Sequence, residues 1–418
     1  MKGVKMTKEE LKKAALDYHQ GGKIEINVKT SVASQDDLSL AYSPGVAYPC
    51  LEIEKDANKG YELTNRSNLV GVISNGTAIL GLGDLGALAS KPVMEGKSVL
   101  FKRFAGIDAF DIELDEKDPK KLVDIVRALA PTFGGINLED IKAPECFYIE
   151  TELKKILDIP IMHDDQHGTA IICTAGIING AKIVNKNIND LRMVVCGAGG
   201  AAISCSTMAR ALGVKDIVMF DSKGALTTDR SGLDEHKRAF AVDKAKLAEQ
   251  GRSVDSYKDA LKGADVLLGL SRADIISEDD IAGMSENPLI FVMSNPNPEI
   301  APALARKARP DAIIATGRSD KPNQINNVLG FPYIFKGALS VNARAINEEM
   351  KMAAANALAE LARDVMPSDI KATLESIHGR KVEFGKEYVI PSPFDPRLLE
   401  KVSGAVADAA RKSGVARK

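Results

Sequence analysis

The stretch that decides the fold runs from Met193 to Asp221. It opens with Met193-Val194-Val195-Cys196 and continues with Gly197-Ala198-Gly199-Gly200-Ala201-Ala202. After a helical run it closes on Ile217-Val218-Met219-Phe220-Asp221. The four apolar residues read as a buried strand, the glycines as a tight turn, and Ala201 to Leu212 as the helix that follows. The turn fits the pattern G-x-G-x-x-A. Its first glycine permits the tight turn, its second lets a pyrophosphate approach the backbone, and its small last position lets helix and strand pack closely. Asp221 ends the next strand, where a carboxylate holds an adenosine ribose. Strand, turn, helix, strand and acid in this order predict a Rossmann-type dinucleotide-binding domain. NAD and NADP are not separated by these residues, since Asp221 favours NAD while Lys223 can neutralise a 2′-phosphate.

Working outward, further strands are predicted at Val266 to Leu270, Leu289 to Met293 and Ala312 to Ala315. On the N-terminal side the pattern predicts strands at Val99 to Phe101, Ala109 to Leu114, Phe133 to Leu138 and Ile159 to Met162. Between them it predicts helices that begin at Asp118-Pro119 and at Pro144. Strands alternating with helices make parallel sheets covered on both faces. The fold class is therefore α/β, an N-terminal α/β domain plus a doubly wound dinucleotide-binding domain and a helical C-terminal tail. The segment 167–184 reads as a connecting helix, which divides the chain into 1–166, 167–365 and 366–418. A second glycine turn, Gly81-Leu82-Gly83-Asp84-Leu85-Gly86, is followed by Pro92, which limits any helix there. It reads as a backbone-packing turn.

The chain has 418 residues, which suggests two or three domains. Its 55 Lys and Arg nearly balance its 57 Asp and Glu, which argues against a nucleic-acid or membrane-surface binder. Cys50, Cys146, Cys173, Cys196 and Cys205 are scattered and odd in number, so they read as thiols in a reducing compartment. The lysine-rich N-terminus has no apolar signal core, and a cytoplasmic location is expected.

Two acidic pairs follow consecutive predicted strands, Glu139-Asp140 after Leu138 and Asp164-Asp165 after Met162. Parallel strands would bring both pairs to one carboxyl edge, where open α/β sheets bind ligands. Crowded carboxylates repel unless a cation neutralises them, and all-oxygen ligation suits Mg²⁺ or Mn²⁺. His163 and His167 lack zinc spacing and read as structural. On position alone, a metal site and a solvated acidic loop both stay open.

The chain resembles the malic enzymes in their short microbial form, from about residue 15 to 400. The resemblance rests on blocks in a shared order: Tyr42-Ser43-Pro44-Gly45-Val46-Ala47, Ile79 to Asp84, Glu95-Gly96-Lys97 and Gly135 to Asp140. It continues with Asp164 to Thr169, Ser294-Asn295-Pro296, Asn326-Asn327 and Pro391 to Arg397. It implies oxidative decarboxylation of L-malate to pyruvate and CO₂ with reduction of NAD or NADP and a divalent metal. Residue by residue it makes Tyr42 the general acid and Lys97 the general base. Glu139, Asp140 and Asp165 become metal ligands, with Asp164 a neighbour that does not ligate. Asn295 and Asn327 match positions that contact cofactor and substrate, and Gly197, Ala198, Gly199, Gly200, Ala201 and Ala202 match the dinucleotide turn. A homodimer is also implied. Without the family pattern, Tyr42 reads as a packing residue in a turn and Lys97 as a solvated residue at a strand start.

Two departures stand out. Larger members carry an arginine where this chain has Ala78, so the substrate carboxylate is expected to be held by other groups, such as backbone N–H and asparagine side chains. Some relatives carry an appended acetyltransferase-like domain, which 418 residues do not reach. Two other functions compete. A malolactic enzyme, releasing lactate, would use the same motifs. A non-catalytic dinucleotide sensor would require the loss of a catalytic group, yet all are present.

Overall fold

The computed structural model describes residues 7–80, 82–295, 297–318 and 321–418. Gly81 of the second glycine turn and Pro296 of the Ser294-Asn295-Pro296 block lie outside the described residues. The first sheet contains β1 (Leu69–Ser74), β2 (Asp108–Glu113), β3 (Gly135–Leu138) and β4 (Ile161–His163), in the order β2-β1-β3-β4. All its pairings are parallel. The second sheet contains β5 (Arg192–Cys196), β6 (Asp216–Asp221), β7 (Gly224–Ala225), β8 (Val266–Gly269), β9 (Leu289–Val292) and β10 (Ile313–Thr316). Its order is β10-β9-β8-β5-β6-β7, parallel except for the short β7. Because β5 lies between β6 and β8, the chain reverses direction across the sheet after β6. The crevice at that reversal is where doubly wound sheets bind ligands.

One helix, Asp164–Ile183, ties the two sheets together. It leaves β4 directly, and farther along, Gly176 and Gly180 lie against Phe291 and Leu289 of β9. Its predicted span, 167–184, begins one turn late.

The predicted strand Val99 to Phe101 is a correction: these residues lie in the helix Ala87–Ala105. The buried positions Ala87, Ser90, Met94, Ser98, Phe101 and Ala105 follow the three-to-four spacing of a helix face. A short apolar triplet cannot by itself separate the two structures. Pro92 does not end this helix either, and its carbonyl accepts a hydrogen bond from Lys23 Nζ at 2.7 Å. Lys97 therefore projects from mid-helix and not from a strand start. Elsewhere, Asp118 caps the helix Pro119–Leu129 by accepting from the N–H groups of Lys120 and Lys121, with Pro119 in its first turn.

The C-terminal helices return to the first sheet. Phe331 and Phe335, in the helix Phe331–Ser340, meet the Phe101 ring edge-on at centroid distances of 4.7 and 5.4 Å. The helix Leu398–Lys412 buries Leu398, Val402 and Val406 in the same core. In contrast, the helices Lys8–Tyr18, Gln35–Ala41 and Ala47–Lys55 bury no residue. No described helix is long and apolar enough to cross a membrane.

Candidate functional site

β3 and β4 are parallel neighbours with Leu138 opposite His163. The next residue of each strand, Glu139 and Asp164, therefore leaves the sheet at the same carboxyl edge. Asp140 follows with φ of 52°, a left-handed backbone that costs a non-glycine residue roughly 1 kcal/mol or more. Hydrogen bonds hold it there. Its carbonyl accepts from the N–H groups of Thr77 and Ala78 at 3.1 and 3.0 Å, and its own N–H donates to Asp165 Oδ2 at 2.9 Å. Ala78 thus sits against the acidic group, but its N–H and that of Thr77 are engaged and are not open to a substrate carboxylate.

Carboxylate oxygens of Glu139, Asp140 and Asp165 lie within 4.8 Å of one another. Lys97 reaches in from its helix, 2.8 Å from Glu139 Oε1 and 2.7 Å from Asp164 Oδ2. Its ammonium also lies over the Phe331 ring, 4.3 Å from the centroid. Glu139 Oε2 accepts from Asn137 Nδ2 at 2.8 Å.

This crowding sets the electrostatics. Burial drives the Glu139 carboxyl well above the usual carboxylate range; Lys97 pulls it back, and Asp165, Asp164 and Asp140 push it further up. Burial and the Asp165 charge push Asp140 up to about 7. Asp164 is raised by burial against the pull of Lys97. Burial acts to lower the Lys97 pKa, but Asp164, Glu139 and Asp165 outweigh it and leave the pKa raised. The ammonium is thus the cation that neutralises the cluster. Asp140 Oδ2 is buried with no hydrogen-bond partner. An all-carboxylate donor set with an unsatisfied oxygen fits a hard divalent ion.

Asn327 is brought to the same place. It donates to the Asp164 carbonyl at 3.3 Å and accepts from Thr169 Oγ1 at 3.0 Å. Gly168 is required here because a Cβ would lie 2.2 Å from Asp164 Oδ1 and 3.0 Å from Asn327 Cγ. Behind the acids, His167 Nε2 is 2.8 Å from Glu150 Oε2, and its Nδ1 is 3.1 Å from the ammonium of the buried Lys351. His167 thus has a structural place. His163 Nδ1 is 3.9 Å from Asp165 Oδ2, and neither ring nitrogen has a hydrogen-bond partner.

Two predicted residues are not gathered in. Tyr42 is 72 % exposed and makes no hydrogen bond to Lys97 or the acids among the described residues. Asn295 is exposed beyond the end of β9, near Gly317 beyond the end of β10.

In the second sheet the glycine turn takes the predicted form. Gly197 has φ of 114°, and a Cβ there would lie 2.3 Å from the Leu270 carbonyl oxygen. Nothing lies within 4 Å of a Cβ built on Gly199, the residue before the helix Gly200–Leu212. Ala202 is fully buried. Asp221 does end β6, but its carboxylate is taken: Arg230 Nη1 and Nη2 donate to its two oxygens at 3.0 and 2.9 Å. Burial alone would raise Asp221, yet Arg230 and the Lys223 N–H hold it below the usual carboxylate range. Sequence reasoning missed Arg230, Phe331 and Asn137. Arg230 stands alone nine residues beyond Asp221, with only Lys223 between them as a basic residue, and no local signal pointed to it or to the aromatic ring.

Comparison with known proteins agrees with this geometry. Residues 166–379 match the family model "Malic enzyme, NAD binding domain", and residues 21–124 and 116–154 match "Malic enzyme, N-terminal domain". An "NADP-dependent malic enzyme" of Escherichia coli (strain K12) is 56 % identical over 98 % of this chain and 53 % of its own length. One of Halomonas elongata, with the same description, is 52 % identical over 97 % of this chain and 95 % of its own. The crystal structure of malic enzyme from Pyrococcus horikoshii is 42 % identical, with a TM-score of 0.87, and covers 98 % of this chain and 92 % of that one. The chain spans about half the length of several curated relatives, that of Escherichia coli among them. On this fold, this site and these matches, the chain belongs to the malic enzyme family.

Proposed function

We propose that this chain oxidises L-malate and decarboxylates it to pyruvate and CO₂, reducing NADP. The observation that carries the reading is the meeting of Lys97 with Glu139 and Asp164, at 2.8 and 2.7 Å, beside the three acids that can hold a metal. Glu139, Asp140 and Asp165 would hold a Mg²⁺ or Mn²⁺ ion, which when bound stabilises negative charge on the substrate oxygen. Lys97 takes the proton of the C2 hydroxyl as hydride leaves C2 for the nicotinamide. To do so it must be neutral. An ion held by Glu139 and Asp165 would offset two of the three charges that hold the Lys97 proton, leaving Asp164, and burial would then pull the Lys97 pKa down. The C3–C4 bond next breaks with loss of CO₂, and Tyr42 returns a proton to C3. Asn327 orients Asp164 and borders the same space.

The choice of NADP rests on the relatives described as NADP-dependent and on Asp221. With Arg230 bound to both its oxygens, and Lys237 4.0 Å away, its charge is offset where a 2′-phosphate would sit. A homodimer is the proposed assembly. Ile26, Val28, Leu40, Tyr42 and Tyr48 are all more than 70 % exposed, and a second copy would cover them. The proposed setting is the cytoplasm, in keeping with five free cysteines. Product analysis tests the reaction: malate and NADP should yield pyruvate and NADPH in equal amounts. Lactate without net NADPH would instead indicate the malolactic reaction.

A further inference from the structure

The two acids that follow β4, Asp164 and Asp165, open the helix Asp164–Ile183, and His163 is its N-cap residue, with no capping hydrogen bond from its side chain. β4 is also the edge strand of its sheet. The His163 N–H is donated to Glu150 Oε1 at 3.0 Å. Glu150 lies on the helix Glu145–Ile156, the crossover between β3 and β4, and is only 6 % exposed. Its other oxygen, Oε2, is 2.8 Å from His167 Nε2, one turn into the following helix. One buried carboxylate therefore holds the residue before Asp164 and the second residue after Asp165. In a capping box, a glutamate at the third helical position reaches back to the N-cap N–H. That position here is Gln166, and the carboxylate arrives from another helix.

The grip is directional and charged. Lys351 Nζ is 3.1 Å from His167 Nδ1, and an ammonium can only donate. Nδ1 is therefore the acceptor, the ring proton sits on Nε2, and the ring donates to Glu150. Lys351 is itself 1 % exposed and pairs with Glu348 Oε1 at 2.5 Å, while Lys154 Nζ reaches Glu150 Oε1 at 2.8 Å. Burial acts to raise the Glu150 carboxyl, yet His167 and Lys154 hold it well below the usual carboxylate range. Buried charges are costly to keep, and no step of the proposed reaction uses Glu150 or Lys351. Between the two held residues, Asp164 Oδ2 accepts from Lys97 at 2.7 Å and Asp165 Oδ2 from the Asp140 N–H at 2.9 Å.

We infer that Glu150 is a positioning residue, which fixes the turn carrying Asp164 and Asp165 and so sets the geometry of the metal-holding group. This rests on the reading of Glu139, Asp140 and Asp165 as metal ligands. Glu150 acts through the backbone of His163 and the ring of His167, and Lys351 sets which ring nitrogen of His167 carries the proton.

Mn²⁺ titrated into the metal-free protein, with the free ion followed by its electron paramagnetic resonance signal, tests this. Glu150→Gln should weaken Mn²⁺ binding roughly tenfold or more, as loss of the hydrogen bonds that orient metal ligands does. Affinity for NADP at the glycine turn 197–202, in the other sheet, should be unchanged, which separates lost positioning from a general loosening of the fold. At position 167 a conservative variant should rescue: His167→Gln still donates to Glu150 and should keep the Mn²⁺ affinity, while His167→Leu should lose it as Glu150→Gln does. Because these two side chains are nearly equal in size and differ in the donor, they decide the question even where Glu150→Gln fails to fold. Equal Mn²⁺ affinity in the Glu150→Gln and unaltered proteins, or in the two variants at 167, would overturn the inference. Absence of Mn²⁺ binding in the unaltered protein would overturn the metal-site reading and the inference with it.

Discussion

Replacing Lys97 by methionine removes one charge from the site while keeping the length of the side chain. The ammonium is only 10 % exposed and lies within 3 Å of both Glu139 and Asp164. Removing one partner of a buried ion pair costs about 3–5 kcal/mol because the other is left uncompensated. Loss of the contact with Phe331 adds roughly 1 kcal/mol. Without metal at pH 8, Lys97→Met should therefore be less stable by about 4–6 kcal/mol in urea unfolding. The cost should fall with pH. Burial and its neighbours push Asp140 up to about 7, and Glu139 and Asp164 are raised as well. Acids raised in this way keep their protons in the folded chain where the unfolded chain has lost them. That contribution is present at low pH and is lost as pH rises from about 4 to about 7. At pH 5 Asp140 is largely neutral, Glu139 and Asp164 are shifted the same way, and the penalty of the variant should be smaller than at pH 8. Mn²⁺ at pH 8 should shrink it too, since the ion replaces the missing positive charge. A penalty equal at both pH values and untouched by Mn²⁺ would refute the reasoning.

Two further outcomes follow from the same geometry. Gly168→Ala would place a Cβ 2.2 Å from Asp164 Oδ1 and displace the partner of Lys97. Malate oxidation should fall at least a hundredfold, about 2.7 kcal/mol in barrier, with a stability loss of only about 1–3 kcal/mol; activity within a factor of a few of the unaltered protein would count against this packing. Arg230→Gln frees the Asp221 carboxylate where a 2′-phosphate would sit. The ratio of kcat/KM for NADP over NAD should drop about tenfold or more, and an unchanged ratio would remove Arg230 from the account of cofactor choice.

Much of this was legible because strong local signals agree with each other. Between Met193 and Asp221, strand, glycine turn and acid each need only their neighbours in sequence. The acidic pairs were legible for a similar reason, since both directly follow strands that prove parallel and adjacent. What stayed hidden depends on contacts distant in sequence. Val99 to Phe101 look like a strand until Met94, Ser98 and Ala105 are seen to share their buried face. The charge state of Lys97 depends on Glu139 and Asp164, which the fold brings to it from two other elements. Arg230 closes on Asp221 through a loop that no periodicity describes. Tyr42 was singled out only by the resemblance, and one chain leaves it in solvent.

The most direct test of the central claim is NADP reduction by L-malate, followed spectrophotometrically while Mn²⁺ is titrated into metal-free enzyme. Reduction should be absent in EDTA, rise to saturation with Mn²⁺, and be lost in Asp165→Asn at any Mn²⁺ concentration that saturates the unaltered protein. Reduction of NADP that persists in EDTA, or that is untouched by Asp165→Asn, would contradict a metal-dependent site built from Glu139, Asp140 and Asp165.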